Sequence, residues 1–158
     1  MRITEMGLDL IKRSEGLVLS SYLCPAHRWT IGYGHTGPEV GPGQSITRER
    51  ANELLRQDVA QFERDVTGLI GDHPTKQCQF DALVVLAYNI GSDIDADTIP
   101  EGLGDSTLMR KHLAGDYVGA AAEFAKWNKA TVKGRRIVLS GLTKRRAVEA
   151  RLYRGELA

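Results

Sequence analysis

One long apolar stripe constrains the fold of this 158-residue chain more than any other feature of its sequence. Downstream of Thr47, a candidate helix N-cap, apolar side chains recur at steps of three or four residues, which is the spacing of one helix face. The segment Ile70–Pro74 ends the pattern. A helix of about 20 residues is about 30 Å long, so this one can connect two lobes. The stripe consists of Ala51, Leu54, Leu55, Val59, Phe62, Val66 and Leu69.

The residues that precede this helix predict another helix and a small sheet. The first helix begins after Thr4 and stops at Gly16, which makes Glu15 its last residue. Residues 17–43 hold short apolar runs broken by glycine and proline. We therefore expect a small β-hairpin or meander with irregular ends.

The residues that follow the long helix predict a helical bundle. A helix starting at Thr75 carries the strongly apolar run Ala82–Tyr88, which suggests a central helix, and ends at Gly91. Residues 92–105 are acidic and rich in helix breakers, so we expect a surface loop. Three shorter helices are predicted over 107–114, 117–126 and 142–154, with irregular chain over 128–141.

This order of elements predicts the fold class and the domain organisation. A helix, a small sheet, a long helix and a bundle give an α+β fold with its strands near the N-terminus. We expect a single domain of residues 1–158. Its parts are a small lobe over 1–46, a linking helix over 47–74 and a helical lobe over 75–158.

Charge is distributed unevenly along the chain. The formal net charge of +1 predicts no partner and gives no reason to expect nucleic-acid binding. Residues 126–154, however, hold ten Lys or Arg and one acid, whereas residues 1–125 hold eleven basic and eighteen acidic residues. A basic tract raises affinity for anionic polymers or membrane surfaces. A solvated helix face, with its acids elsewhere in the fold, explains the tract equally well.

The cysteines and the N-terminal residues bear on location. Two cysteines, Cys24 and Cys78, form no disulfide framework and fit a reducing cytoplasm. Residues 1–16 lack an apolar region of signal-peptide length, and no stretch reaches the ~18 apolar residues that cross a bilayer. The four His and two Cys show no metal-ligand spacing, so we expect no metal and no cofactor.

Glu15 is the first candidate for chemistry. It lies at the negative end of a predicted helix, where the macrodipole disfavours a carboxylate charge. Desolvation by Leu17, Leu19 and Ile31 would add to that effect and raise the pKa. A carboxylic acid still protonated near neutral pH can donate a proton to a leaving oxygen, as glycoside hydrolysis requires. A solvent-facing or capping role is the alternative.

Three further residues stand close to Glu15 in the sequence. The Cys24 thiol can serve as a nucleophile or a polar partner, although a lone cysteine is more often a small buried hydrophobe. The Thr30 hydroxyl can orient a water, or Thr30 can be an ordinary strand residue. His35 can be a general base, but the glycines around it favour a structural role.

Taken together, these residues follow the pattern of a known family. Glu15, eight residues, Cys24, five residues and Thr30 form a spaced triad, which the sequence TIGYGHT from residue 30 to 36 completes. Four further blocks follow in order, and the whole resembles the phage-type lysozymes, the bacteriophage endolysin family of muramidases. The blocks are DALVVLAYNIG at 81–91, STLMRKHLAGDY at 106–117, Trp127-Asn128, and GLTKRRAVEARLY at 141–153.

The resemblance implies an activity and a fold. It implies hydrolysis of the β-1,4 bond between N-acetylmuramic acid and N-acetylglucosamine in peptidoglycan, with Glu15 as proton donor and Thr30 placing the water or second catalytic group. It also implies a mainly helical lysozyme-like fold with a cleft between its lobes. Thr36, Tyr88 and Thr107 are the saccharide-binding positions that it suggests.

Two departures from the family pattern matter. Cys24 stands where Asp is more familiar, and a thiol has a reference pKa of about 8.5 against about 3.9 for Asp. Cys24 therefore works as a base or nucleophile only if its pKa falls, and inverting and covalent routes both stay open. The loop 92–105 is longer than usual for the family and can alter substrate fit.

The resemblance also carries expectations about partners. A peptidoglycan hydrolase without a signal peptide is made in the host cytoplasm and reaches the wall through a membrane lesion, for which the family uses a separate holin. We expect a cleft enzyme of this size to be a monomer. The basic segment Lys126–Arg154 would add electrostatic contact with anionic wall or outer-membrane polymers.

Two other functions compete with a muramidase. Cys24 with His27 or His35 would make a cysteine–histidine amidase or endopeptidase that cuts the peptide part of peptidoglycan. The basic segment Lys126–Arg154 would alternatively serve a non-catalytic protein that binds the wall or the membrane.

Overall fold

The computed structural model describes residues 1–95, 97 and 101–157, and it divides into two compact units. The small unit is Leu8–Gln61, and the large unit is Met1–Gly7 with Phe62–Ala158. Their boundary falls inside the long helix. The lobes predicted from the sequence have other limits, and those limits stay a prediction.

The elements of the first half of the chain follow the predicted order. They are α1 (Glu5–Glu15), β1 (Val18–Leu23), β2 (Trp29–Gly32), β3 (His35–Thr36) and α2 (Arg48–Ile70). The three strands form one antiparallel sheet in the order β1-β2-β3. Thr47 caps α2 as predicted, because its hydroxyl accepts a hydrogen bond from the Arg50 amide at 3.1 Å.

The core of the small unit lies between the sheet and α2. Ile31 from β2, Val40 and Leu54 from α2 form a buried cluster. Trp29 and Ile46 pack against it while remaining partly exposed. This core holds β2 in place from one face.

The large unit is mainly helical, as predicted. It contains α3 (Gln77–Ile90), α4 (Thr107–Leu113), α5 (Tyr117–Glu123), a 3₁₀ turn (Phe124–Lys126) and α6 (Ser140–Tyr153). The third helix starts two residues later than predicted and ends at Gly91, whose amide bonds the Ala87 carbonyl at 2.8 Å. Residues 79–87 of α3 are all buried, which confirms α3 as the central helix of this unit. α3 packs against α6, and α4 packs against α5.

A buried ion pair lies on α6, and its arginine also contacts the end of α3. Arg146 is fully buried and donates to Glu149, itself 1% exposed, at 2.8 Å. The same guanidinium hydrogen-bonds the Asn89 side chain, and Arg145 approaches Glu149 at 3.2 Å. Two cations and one carboxylate therefore share an interior site, where each charge depends on the others.

The prediction of irregular chain over 128–141 is wrong. Residues Lys129–Val132 and Arg135–Val138 form an antiparallel hairpin, β4–β5. Its two-residue turn, Lys133 and Gly134, has φ angles of 49° and 77°, the left-handed pair that a tight hairpin turn uses. Seven of its eight strand residues are exposed, so it lacks the alternation of apolar and polar residues that marks a half-buried strand.

The predicted surface loop over 92–105 lies partly outside the described residues. Its described part is not wholly at the surface, because Ser92 and Leu103 are buried. The Leu103 amide bonds the Gly91 carbonyl at 3.0 Å, and the Asp93 carboxylate accepts the amides of Glu101 and Gly102 at 3.1 Å each. Among the residues described, no helix combines the length and apolarity of a membrane-spanning segment.

Candidate active site

A tight turn after β1 holds Cys24. The Cys24 amide donates to the Arg28 carbonyl at 2.9 Å, and the His27 amide donates to the Cys24 carbonyl at 2.9 Å. His27 takes a left-handed φ of 59°, which lets the chain reverse within these five residues. The thiol is free and partly exposed, so it is open to chemistry.

The turn also stabilises the thiolate form of Cys24. The backbone N–H of Arg28 is the main cause of a Cys24 pKa below the ordinary thiol range, opposed by burial and assisted by the Ala26 amide and the Thr30 hydroxyl. Hydrogen bonds to the charged form favour it. A thiol can replace a carboxylate as a base only if its pKa is lowered. This turn lowers the pKa of Cys24.

Thr30 lies beside Cys24 on the neighbouring strand. It is only 4% exposed, and its hydroxyl donates to the Arg28 carbonyl at 3.0 Å. The same hydroxyl helps to lower the pKa of Cys24. Thr30 also pairs across the sheet with Thr36, which is exposed on β3. The small unit therefore brings Cys24, Thr30 and Thr36 together.

Glu15 ends α1, as predicted, and its carboxyl lies against the turn between β2 and β3. Gly16 terminates the helix with a φ of 72°, and its amide bonds the Lys12 carbonyl at 2.9 Å. A β-carbon at Gly34 would lie 3.3 Å from Glu15 Oε2, closer than ordinary packing. The glycine at this position therefore leaves room for the carboxyl group.

The expected desolvation of Glu15 by apolar neighbours is wrong. Glu15 is exposed, and Leu19 on β1 is itself 40% exposed. Ile31 faces the core of the small unit with Val40 and Leu54 instead. The physical reason is that β1 has no buried residue along its length, and Leu17 just before it is only partly buried.

His35 is held between two carboxylates. Its Nδ1 lies 2.7 Å from Asp58 and its Nε2 lies 2.6 Å from Glu39. Burial opposes protonation, but the hydrogen bonds to Glu39 and Asp58 outweigh it and raise the pKa of His35. The same contact lowers the pKa of Glu39, whereas burial raises that of Asp58. A ring with both nitrogens engaged by acids has no free lone pair for a thiol proton.

Asp58 was not among the candidate site residues predicted from the sequence, although a signal for it is present. Asp58 lies on α2 four residues after Leu54, so it continues the apolar stripe as a single acid. A charged residue on the core-facing side of a helix usually has a partner. His35 is that partner.

Tyr88 and Thr107, the other predicted saccharide-binding residues, belong to the large unit. The half-buried Tyr88 packs edge-on against the Phe62 ring with centroids 5.3 Å apart. Thr107 begins α4, is exposed, and accepts a hydrogen bond from Arg110 at 2.9 Å. A role for either in binding sugar stays a prediction.

Acidic side chains gather in the described part of the 93–105 segment. Asp93, Asp95 and Glu101 form one group and Asp95, Asp97 and Asp105 another, each with carboxylate oxygens within 4.8 Å of one another. Burial and the neighbouring carboxylates raise the pKa of Asp105. Clustered exposed acids are common without a metal, and the expectation of no metal or cofactor stays a prediction.

A cavity of about 820 Å³ also lies within the large unit. Cys78, Tyr117, Val118 and Tyr153 line it, together with Lys76 and Arg154. None of the residues singled out from the sequence for catalysis or sugar binding borders it.

Comparisons with known proteins point to one family. The model of the phage lysozyme family matches residues 12–149. An endolysin of Acyrthosiphon pisum secondary endosymbiont phage 1 is 47% identical over 97% of this chain and 98% of its own length. Two Bacillus phage endolysins are longer, and the chain spans about half of their length.

Solved structures give the same result. An endolysin from Escherichia coli O157:H7 phage FAHEc1 aligns with a TM-score of 0.85 and 41% identity, over 97% of this chain and 93% of that chain. The muramidase domain of SpmX from Asticaccaulis excentricus aligns with a TM-score of 0.85 and 36% identity, over 96% of this chain and 97% of that chain.

Proposed function

The chain belongs to the phage lysozyme family, and from this we propose that it cuts the β-1,4 bond between N-acetylmuramic acid and N-acetylglucosamine. It is a glycoside hydrolase of the endolysin type, acting on peptidoglycan to lyse the host. The observation that carries the proposal is the Cys24 turn, with Thr30 beside it in the same unit as Glu15.

Glu15 is the proton donor in this proposal. As a carboxylic acid it gives its proton to the leaving glycosidic oxygen. Its exposure, and the room left at Gly34, support access of a large polymer to the carboxyl group.

Cys24 is the base that activates water. Its thiolate takes a proton from a water molecule whose oxygen then attacks the anomeric carbon, and Thr30 orients that water. The lowered Cys24 pKa supports this role because it raises the population of thiolate at neutral pH. A direct attack by water gives inversion at the anomeric carbon.

Product analysis tests the reaction. Digestion of purified peptidoglycan should release new reducing ends of N-acetylmuramic acid and no new free amino groups. Glu15→Gln should lower kcat by about 10²–10⁴-fold, because general acid catalysis is lost. Glu49→Gln, an exposed acid in the first turn of α2, is the matched control and should keep full activity. Free amino groups as the main product would overturn the proposal.

The stereochemistry separates the two routes left open by the sequence. Proton NMR of freshly formed product should show inversion of the anomeric configuration. Retention, with a sugar adduct on Cys24 in the mass spectrum, would instead identify the thiolate as a nucleophile.

A cysteine–histidine hydrolase is the second candidate, and the geometry opposes it. Both ring nitrogens of His35 contact carboxylates, and His27 is exposed in the turn with a left-handed backbone. Such an enzyme would tolerate Glu15→Gln, so the same variant decides between the two.

The cellular setting follows from the proposed activity. We expect synthesis in the host cytoplasm, release by a separate holin, action on the wall as a monomer and no nucleic-acid partner.

Thr36, Tyr88 and Thr107 are the proposed saccharide-binding residues. Replacement of each should raise KM more than it lowers kcat.

A further inference from the structure

The β4–β5 hairpin carries most of the unpaired positive charge in the basic tract. Among the described residues, half of the ten cations in 126–154 have a carboxylate partner within 4.0 Å. Those paired cations are Lys126, Arg145, Arg146, Arg151 and Arg154. Four of the five others are on the hairpin, namely Lys129, Lys133, Arg135 and Arg136. The ten hairpin residues include no acid.

The hairpin also exposes apolar side chains. Val132, Ile137 and Val138 are 40%, 41% and 56% exposed. The strand register places Ala130, Val132, Arg135 and Ile137 on one face, with Lys129, Thr131, Arg136 and Val138 on the other. One face is thus mainly apolar, and the other is mainly polar and cationic.

Such a hairpin has little stability of its own when only water surrounds it. A two-stranded ribbon with no buried face is marginal, and each exposed apolar side chain leaves solvation free energy unrecovered. A surface that covers its apolar face while matching its charge would satisfy both features.

We propose that the β4–β5 hairpin docks on an anionic lipid surface. The apolar face enters the boundary between headgroups and acyl chains, and the cations of the other face and of the turn meet the headgroup phosphates. A purely polar polyanion would match the charges and leave Val132 and Ile137 in water. A second copy of the chain docked hairpin to hairpin would place its four cations against the four cations of the first copy, and they would repel each other.

Binding to vesicles tests the proposal with the full chain. The protein should co-sediment with vesicles of phosphatidylcholine and phosphatidylglycerol and not with vesicles of phosphatidylcholine alone. Lys129→Gln with Arg136→Gln should weaken binding by roughly 30-fold, because each cation near an anionic surface contributes about fivefold. The matched control is Arg2→Gln with Arg48→Gln, two exposed cations outside the hairpin, which should bind as the unaltered protein does.

The apolar contribution is measured separately. Ile137→Ser should weaken vesicle binding several-fold and leave binding to a soluble polyanion such as heparin unchanged. Thermal unfolding checks that each variant folds. Val132→Trp supplies an independent readout, since its emission should shift to the blue when anionic vesicles are added.

Three results would overturn the proposal. Equal binding to neutral vesicles would show that charge does not drive the binding. An equal loss of vesicle binding in the control variant, Arg2→Gln with Arg48→Gln, would show that the hairpin cations have no special role. Binding to heparin but not to anionic vesicles would identify a polymer-binding patch instead.

Discussion

Cys24 shows how a single turn can change the chemistry of one side chain. The backbone of Arg28, helped by that of Ala26, lowers the pKa of the Cys24 thiol, so the thiolate forms more readily than that of an ordinary cysteine in water. A cysteine with an ordinary pKa is a poor base at neutral pH, whereas the backbone around Cys24 lowers that pKa.

We expect Cys24→Ala to lower kcat by about 10²–10⁴-fold, because the base is removed and nothing replaces it. Cys24→Asp should retain most of the activity, since a carboxylate is charged at neutral pH without help. Initial rates on soluble glycan strands measure both. The proposed role is wrong if Cys24→Ala works as well as the unaltered enzyme.

His35 gives the small unit a pH dependence of known sign. Its pKa is raised in the folded state, so its stabilisation is fully present below the unfolded value of about 6.5. That stabilisation fades as the pH rises through the folded-state value. The Glu39 contribution has the opposite sign, because its lowered pKa makes it fade as the pH falls below about 4.5.

Asp58→Asn should therefore destabilise the protein by about 2 kcal/mol at pH 6 and by less at higher pH. Urea unfolding at pH 6 and at higher pH measures the difference in the free energy of unfolding between the variant and the unaltered protein. Glu53→Gln is the control, because Glu53 pairs with Arg50 in solvent and such pairs contribute at most about 1 kcal/mol. A constant difference between Asp58→Asn and the unaltered protein at every pH would contradict the assignment.

The helices and strands differ in how well they can be predicted from the sequence. The α2 helix is evident because its cap, its stripe and its stop agree, and the triad is evident from its spacing. The β4–β5 hairpin was missed because both of its faces meet solvent and its turn is Lys-Gly rather than Asn-Gly or Asp-Gly. The partners of His35 were missed because they are distant in sequence, and only the fold brings Asp58 to the ring.

The α6 helix contains a buried ion pair, Arg146 with Glu149, and Arg146 also hydrogen-bonds Asn89 of α3. Glu149→Ala should destabilise the protein by about 3–5 kcal/mol, because Arg146 would be left buried without its counter-ion. Arg146→Met with Glu149→Leu should cost much less than the two single changes added together. Chemical denaturation of the three variants measures this, and additive losses would show that the pair acts as two independent residues.

On the scale of the whole molecule, the charge is nearly balanced overall but divided along the chain. Among the described residues, five of the ten cations in 126–154 have a carboxylate partner, and four of the five others lie on the β4–β5 hairpin. Attraction between this hairpin and an anionic cell surface extends over about one Debye length, about 10 Å at 0.1 M salt.

Adsorption to whole cells should therefore weaken as salt is added, while hydrolysis of short, soluble glycan fragments changes less. Pull-down of cells at increasing sodium chloride, with the Glu15→Gln variant to prevent lysis, measures the first effect. Adsorption that ignores salt would exclude an electrostatic contribution.

The turn around Cys24 has a consequence for the working life of the enzyme. A thiolate is the form that peroxides and disulfides attack, and oxidation to a sulfenic acid removes the lone pair on which the proposed base depends. The partly exposed sulfur would be protected while reductants surround it and would be oxidised after release into an aerated medium. The same lowered thiol pKa that supports the proposed base would then limit how long a released enzyme molecule stays active.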